Sequence, residues 1–114
     1  MLDVLAETPA KRRIAVLGEM LELGPWAEEL HRGVGNYAAA SGVTVLLGIR
    51  GAAWHLIDAG RAHGLDAGAA LFFENPEEAG NYLRTAARSG DAILFKGSRG
   101  THVELALERF LEGR

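Results

Sequence analysis

The sequence predicts an α/β fold, three layers deep, with helices on both faces of a mostly parallel sheet. Three observations carry the prediction. Four short, continuous apolar runs, at residues 14–17, 43–47, 70–73 and 92–95, are each bounded by glycine or charged residues and suit strands covered on both faces. Stretches long enough for helices, at residues 25–41, 52–63, 76–87 and 102–112, separate and follow them. Strand and helix thus alternate four times, and crossovers of that length join parallel neighbours in a Rossmann-like α/β/α arrangement. The chain has 114 residues, 48% hydrophobic and 24% charged, which describes a single domain, residues 1–114, burying about two-thirds of its unfolded surface.

The elements follow in order. Leu2, Leu5 and Ala6 stand at helical spacing with no N-cap before them, so the first residues read as the end of a helix that began upstream of Met1. The run Ile14-Ala15-Val16-Leu17 is the first strand. Gly24-Pro25 then places proline at a first helical position, and Gly42 is a natural stop for that helix. The second strand, Val43-Thr44-Val45-Leu46-Leu47, leads to a helix ending near Gly64. After Ala70-Leu71-Phe72-Phe73, Asn75-Pro76 with Glu78 reads as an N-cap with a capping box. After Ala92-Ile93-Leu94-Phe95, Thr101 with Glu104 repeats that logic for the last helix. Ligands of parallel sheets sit beyond the carboxyl ends of the strands, so the informative loops are those after Leu17, Leu47, Phe73 and Phe95.

The last of these loops is the leading candidate site. Lys96-Gly97-Ser98-Arg99-Gly100 joins cationic side chains to glycines at a strand-to-helix turn, and Lys96 is one of only two lysines against ten arginines. Glycines let backbone N–H groups approach a ligand, and the two cations suit an anion, each charge-assisted hydrogen bond contributing about 1.5–3 kcal/mol. The competing reading is a solvated turn. After the first strand, Glu19 and Glu22 either take part in a site or favour the next helix electrostatically.

Other chemistries are poorly supported. No Gly-Lys pair exists, so a phosphate loop of the G-x-x-x-x-G-K-[ST] type is absent. Gly33-Val34-Gly35-Asn36-Tyr37-Ala38 matches the loose dinucleotide fingerprint but lies inside a predicted helix, where close packing better explains its glycines. His31, His55, His63 and His102 lack metal spacing, and no metal site is expected. Ser98 and His102 have neither G-x-S-x-G nor an orienting partner. With no cysteine, a charge of −3 and a pI near 5.8, disulfides, thiolate chemistry and a general nucleic-acid surface are not expected. No apolar stretch is long enough to span a bilayer, and a cytoplasmic location is expected.

Three segments, Arg13-Ile14-Ala15-Val16-Leu17-Gly18-Glu19-Met20-Leu21-Glu22-Leu23-Gly24, then Glu29-Leu30-His31-Arg32-Gly33-Val34-Gly35, then Leu94-Phe95-Lys96-Gly97-Ser98-Arg99, together resemble the C-terminal domain of the Mur ligases. The likeness covers nearly the whole chain, and the nearest branch is the one that adds D-Ala-D-Ala in peptidoglycan synthesis. That family typically shows L-G-D-M-x-E-L-G, H-x-x-V-G and K-G-S-R; this chain carries Glu19 where Asp is frequent. The resemblance implies an ATP- and Mg-dependent amide ligase joining D-Ala-D-Ala to UDP-MurNAc-tripeptide, whose N-terminal and central domains, with the ATP machinery, are not in this chain. It also implies a Y-N-A-N-P segment that would precede Met1. The 114 residues alone are expected to be inactive. The resemblance assigns substrate binding to Lys96, Gly97, Ser98, Arg99 and Gly100, with Glu19 and His31 as further members and no catalytic residue of the chain's own. The alternatives are a free-standing small-anion binding module and the C-terminal domain of another ligase of the superfamily, such as a folylpolyglutamate-type enzyme.

Overall fold

The computed structural model describes residues 2–112, apart from the side chain of Arg99. Its elements are α1 (Leu2–Glu7), β1 (Arg12–Gly18), α2 (Ala27–Ala40), β2 (Val45–Ile49), α3 (Ala53–Ala62), β3 (Ala70–Phe73), α4 (Pro76–Ala86), β4 (Asp91–Lys96) and α5 (Glu104–Leu111), with 3-10 turns at Gly24–Trp26 and Arg99–Thr101. The four described strands form one sheet in the order β3-β2-β1-β4, every neighbouring pair parallel. The chain steps outward from β1 to β3, then crosses back so that β4 pairs with the far side of β1. The direction of winding therefore reverses between β1 and β4, which is where open α/β sheets leave a crevice at their carboxyl edge.

Each face of the sheet has its own core. Ala15, Leu17 and Leu46 pack with Leu2, Leu5, Ala38, Leu56 and Ile57 under α1, α2 and α3. Ile14, Val16, Leu47 and Ile49 pack with Leu83, Val103, Ala106 and Phe110 under α4 and α5. The alternation along β1 sends successive residues to opposite cores, and both cores take large apolar side chains, which is why the strand runs are unbroken. The outer strands β3 and β4 are only half-buried, as edge strands are.

Long-range polar contacts tie the ends together. The Arg12 guanidinium donates through Nε and Nη2 to the Asp91 carboxylate (2.9 and 2.8 Å) and through Nη2 to the Ala86 carbonyl (2.9 Å). Arg13 reaches back to α1, donating to the carbonyls of Leu5 and Thr8 (3.0 and 2.9 Å), the former also accepting from the Thr8 N–H (3.1 Å).

Several elements differ from expectation for local reasons. β2 begins and ends two residues later than the apolar run: the Val43 N–H is taken by the Ala38 carbonyl of α2 (3.3 Å). Gly48, which resembles a strand stop, is instead a strand residue pressed against α3, where a Cβ would come within 2.8 Å of Ile57 Cγ1. The cap expected at Asn75 is present, its Oδ1 accepting from the Glu78 N–H (2.9 Å). The cap expected at Thr101 is not. Thr101 turns inward, 1% exposed, and α5 starts only at Glu104.

Candidate functional site

The crevice between the carboxyl ends of β1 and β4 is made by two loops in close contact. Lys96 ends β4 and is exposed. Beyond it, the Ser98 carbonyl accepts from both the N–H and the hydroxyl of Thr101 (3.0 and 2.6 Å), closing a tight turn. A Cβ on Gly97 would come within 2.5 Å of Val103 Cγ2 and 3.2 Å of the Gly18 Cα, and one on Gly18 within 2.6 Å of Thr101 Oγ1. Both glycines are therefore required for the loops to touch. Thr101 is the buried peg on which the second loop hangs.

The loop after β1 is suspended from three other elements. Its Glu19 Oε2 accepts from the Ala52 N–H (2.8 Å) ahead of α3, while its own N–H donates to the Ile49 carbonyl (3.0 Å). The Met20 N–H donates to His31 Nε2 (2.9 Å), and His31 Nδ1 lies 2.7 Å from the Ala27 carbonyl. Since Nε2 accepts, Nδ1 carries the proton and the ring is neutral in this arrangement. The Leu21 N–H donates to Ser98 Oγ (3.2 Å), bridging the two loops. His31 is fully buried with both nitrogens engaged, so in this structure it braces the loop. Glu19 likewise spends one carboxylate oxygen on the Ala52 N–H, just ahead of α3.

Among the described residues, three non-glycine residues have a left-handed backbone: Glu22 (φ 63°), Arg50 (φ 70°) and His102 (φ 52°). They lie in the loops that follow β1, β2 and β4. Strained backbone of this kind gathers at functional sites.

Between these loops, α1 and α2 lies a cavity of about 500 Å³. Leu17, Met20, Leu56 and Leu94 contribute its apolar lining, and Lys96, Gly97, Ser98 and Asp3 its polar part. Lys96 belongs to the same face of β4 as Ala92 and Leu94, which pack on the first core. A larger depression of about 890 Å³ runs along α2. Its arginine, Arg32, is already held by Asp58 and Glu28; the strand-end cavity, with an unpaired lysine, is the better site. No group of three or more His, Asp or Glu among the described residues could hold a metal ion.

The structure thus brings together Lys96, Gly97 and Ser98 with Gly18 and Met20, and places Gly100 against Leu21. The Arg99 side chain lies outside the described residues. Sequence reasoning missed Asp3, which reaches the cavity from α1, and Thr101, read as a helix cap. The buried threonine could not have been separated from a cap by spacing alone, since both precede a helix.

Comparison with known proteins bears on this geometry. The family model described as "Mur ligase, glutamate ligase domain" matches residues 1–99. The UDP-N-acetylmuramoyl-tripeptide--D-alanyl-D-alanine ligase of Synechocystis sp. is 34% identical over 110 residues, 96% of this chain and 24% of that protein. The enzyme of the same name from Rickettsia prowazekii is 27% identical over 113 residues, 96% of this chain and 23% of its own. Among solved structures, the MurF ligase of Thermotoga maritima in complex with ADP superposes with a TM-score of 0.78 at 26% identity, covering 97% of this chain and 24% of that one. MurF of Acinetobacter baumannii gives a TM-score of 0.81 at 24% identity, a likeness of fold. The chain spans about a quarter of the length of the relatives it matches.

Proposed function

The chain belongs to the Mur ligase family as its glutamate ligase domain, and on that premise we propose that it presents the amino substrate, D-Ala-D-Ala, in a ligase that extends UDP-MurNAc-tripeptide during peptidoglycan precursor synthesis in the cytoplasm. The observation that carries the reading is the strand-end cavity: one unpaired lysine over an apolar lining, at the switch point of a chain 34% identical to a D-alanyl-D-alanine ligase across almost its whole length.

In this reading Lys96 holds the dipeptide carboxylate, and the Ser98 hydroxyl, which accepts from Leu21, still has its own proton to donate to the same group. Leu17, Leu56 and Leu94 accept the methyl groups. Arg99, Gly97 and Gly100 complete the anion-binding loop. The contribution is orientation and charge balance for an amine that must be held in line with its target. The chain has no Gly-Lys pair, and among the described residues the cavity offers one lysine above a leucine-rich surface. ATP and magnesium are assigned to the remainder of a longer enzyme, with which this domain works; by itself it is inactive.

The test is steady-state kinetics of the full-length enzyme with Lys96→Ala and Arg99→Ala. Loss of a charge-assisted hydrogen bond, about 1.5–3 kcal/mol, should raise KM for D-Ala-D-Ala by roughly 10- to 150-fold. Unchanged KM and kcat in both variants would remove the loop from the dipeptide site.

A further inference from the structure

Resting on the reading above, we propose that Asp3 recognises the protonated amino end of the dipeptide, so that Asp3 and Lys96 grip opposite ends of one zwitterion. Both residues line the same cavity, Asp3 from α1 and Lys96 from the end of β4. Among the described residues neither forms an ion pair, with the other or with any third group. Two opposite charges facing one apolar-lined cavity without neutralising each other leave a place for a ligand that carries both signs.

The dimensions suit a dipeptide. An extended dipeptide spans roughly 7 Å, and a cavity of about 500 Å³ falls within the range of small-molecule sites. An anion alone would leave Asp3 repelling it, and a cation alone would be repelled by Lys96. The pair therefore selects a ligand that carries both charges. The role assigned to Asp3 is recognition of the charged amine, and the proton that must leave before attack goes to solvent.

The experiment uses the full-length enzyme, with KM measured for D-Ala-D-Ala and Ki measured for N-acetyl-D-Ala-D-Ala as a competitive inhibitor that lacks the ammonium. In the wild type, Ki for the acetylated peptide should exceed KM by about tenfold or more. Asp3→Asn should raise KM to near that Ki while leaving the Ki within about twofold, and Asp3→Glu should recover part of the loss. Lys96→Met should weaken both peptides alike. A wild-type enzyme that binds the acetylated peptide as well as the free one overturns the proposal whatever the variants do, as does Asp3→Asn with an unchanged KM. If Lys96→Met also leaves both peptides unaffected, the cavity itself ceases to be the dipeptide site.

Discussion

His31 supports a loop of the crevice through hydrogen bonds at both ring nitrogens. It is buried within α2, and its two nitrogens join a loop N–H at Met20 to a helix carbonyl at Ala27. Replacing it with alanine leaves the half-buried Met20 N–H without its partner, a cost of about 1–3 kcal/mol, and frees the loop that carries Gly18 and Met20 into the cavity. His31→Ala should therefore lower the unfolding midpoint by several degrees and raise KM for D-Ala-D-Ala more than it changes kcat. Glutamine, whose carbonyl can accept from Met20, should restore part of both. A melting curve and a KM that match the wild type would remove His31 from the support of the site. The motif around His31 was legible in the sequence as a resemblance, but its task was not, because a hydrogen bond between residues 20 and 31 leaves no mark in spacing. Lys96, by contrast, was legible from composition, being a rare lysine among glycines after an apolar run.

At the level of elements, the two glycines of α2 separate packing from propensity. Gly35 lies where a Cβ would collide with the Leu56 carbonyl of α3, whereas Gly33 has nothing within 4 Å. Gly35→Ala should push the helices apart and destabilise the chain by about 1–3 kcal/mol. Gly33→Ala should stabilise it by up to about 1 kcal/mol by relieving the entropy cost of a helical glycine. Denaturant midpoints of the two variants that move in the same direction would contradict this division. The sequence predicted close packing for both glycines and could not tell them apart, since which face of α2 meets α3 depends on the sheet order. The same limit explains β2 and α5. Gly48 and Thr101 carry the signals of a stop and a cap, yet each is consumed by a contact with a distant element.

For the molecule as a whole, the ion pair between Arg12 and Asp91 joins the two strands that border the crevice. Hydrogen bonding to Arg12, opposed by burial and aided by the Arg88 N–H (2.7 Å), holds the Asp91 carboxyl below its ordinary range. A carboxyl depressed in the folded state contributes stability that is present above its unfolded value and is lost as the pH falls through its folded one. Stability should then decline as the pH falls from about 4. Asp91→Asn should be less stable at neutral pH by about 1–3 kcal/mol and show a shallower acid loss. Parallel pH profiles, read from urea midpoints, would exclude the pair as the source. The alternating pattern made the three layers legible, but the order β3-β2-β1-β4 was not, because the parallel strands present similar apolar runs. That order brings Asp3, Gly18 and Lys96 to one crevice.

The bond from the Leu21 N–H to Ser98 Oγ gives this crevice a property of its own. A hydroxyl that donates its proton becomes a better acceptor, so a ligand taking the Ser98 proton tightens the hold of that oxygen on Leu21. The peptide group on one bank thus carries a record of what has landed on the other, written in the strength of a single shared hydrogen bond.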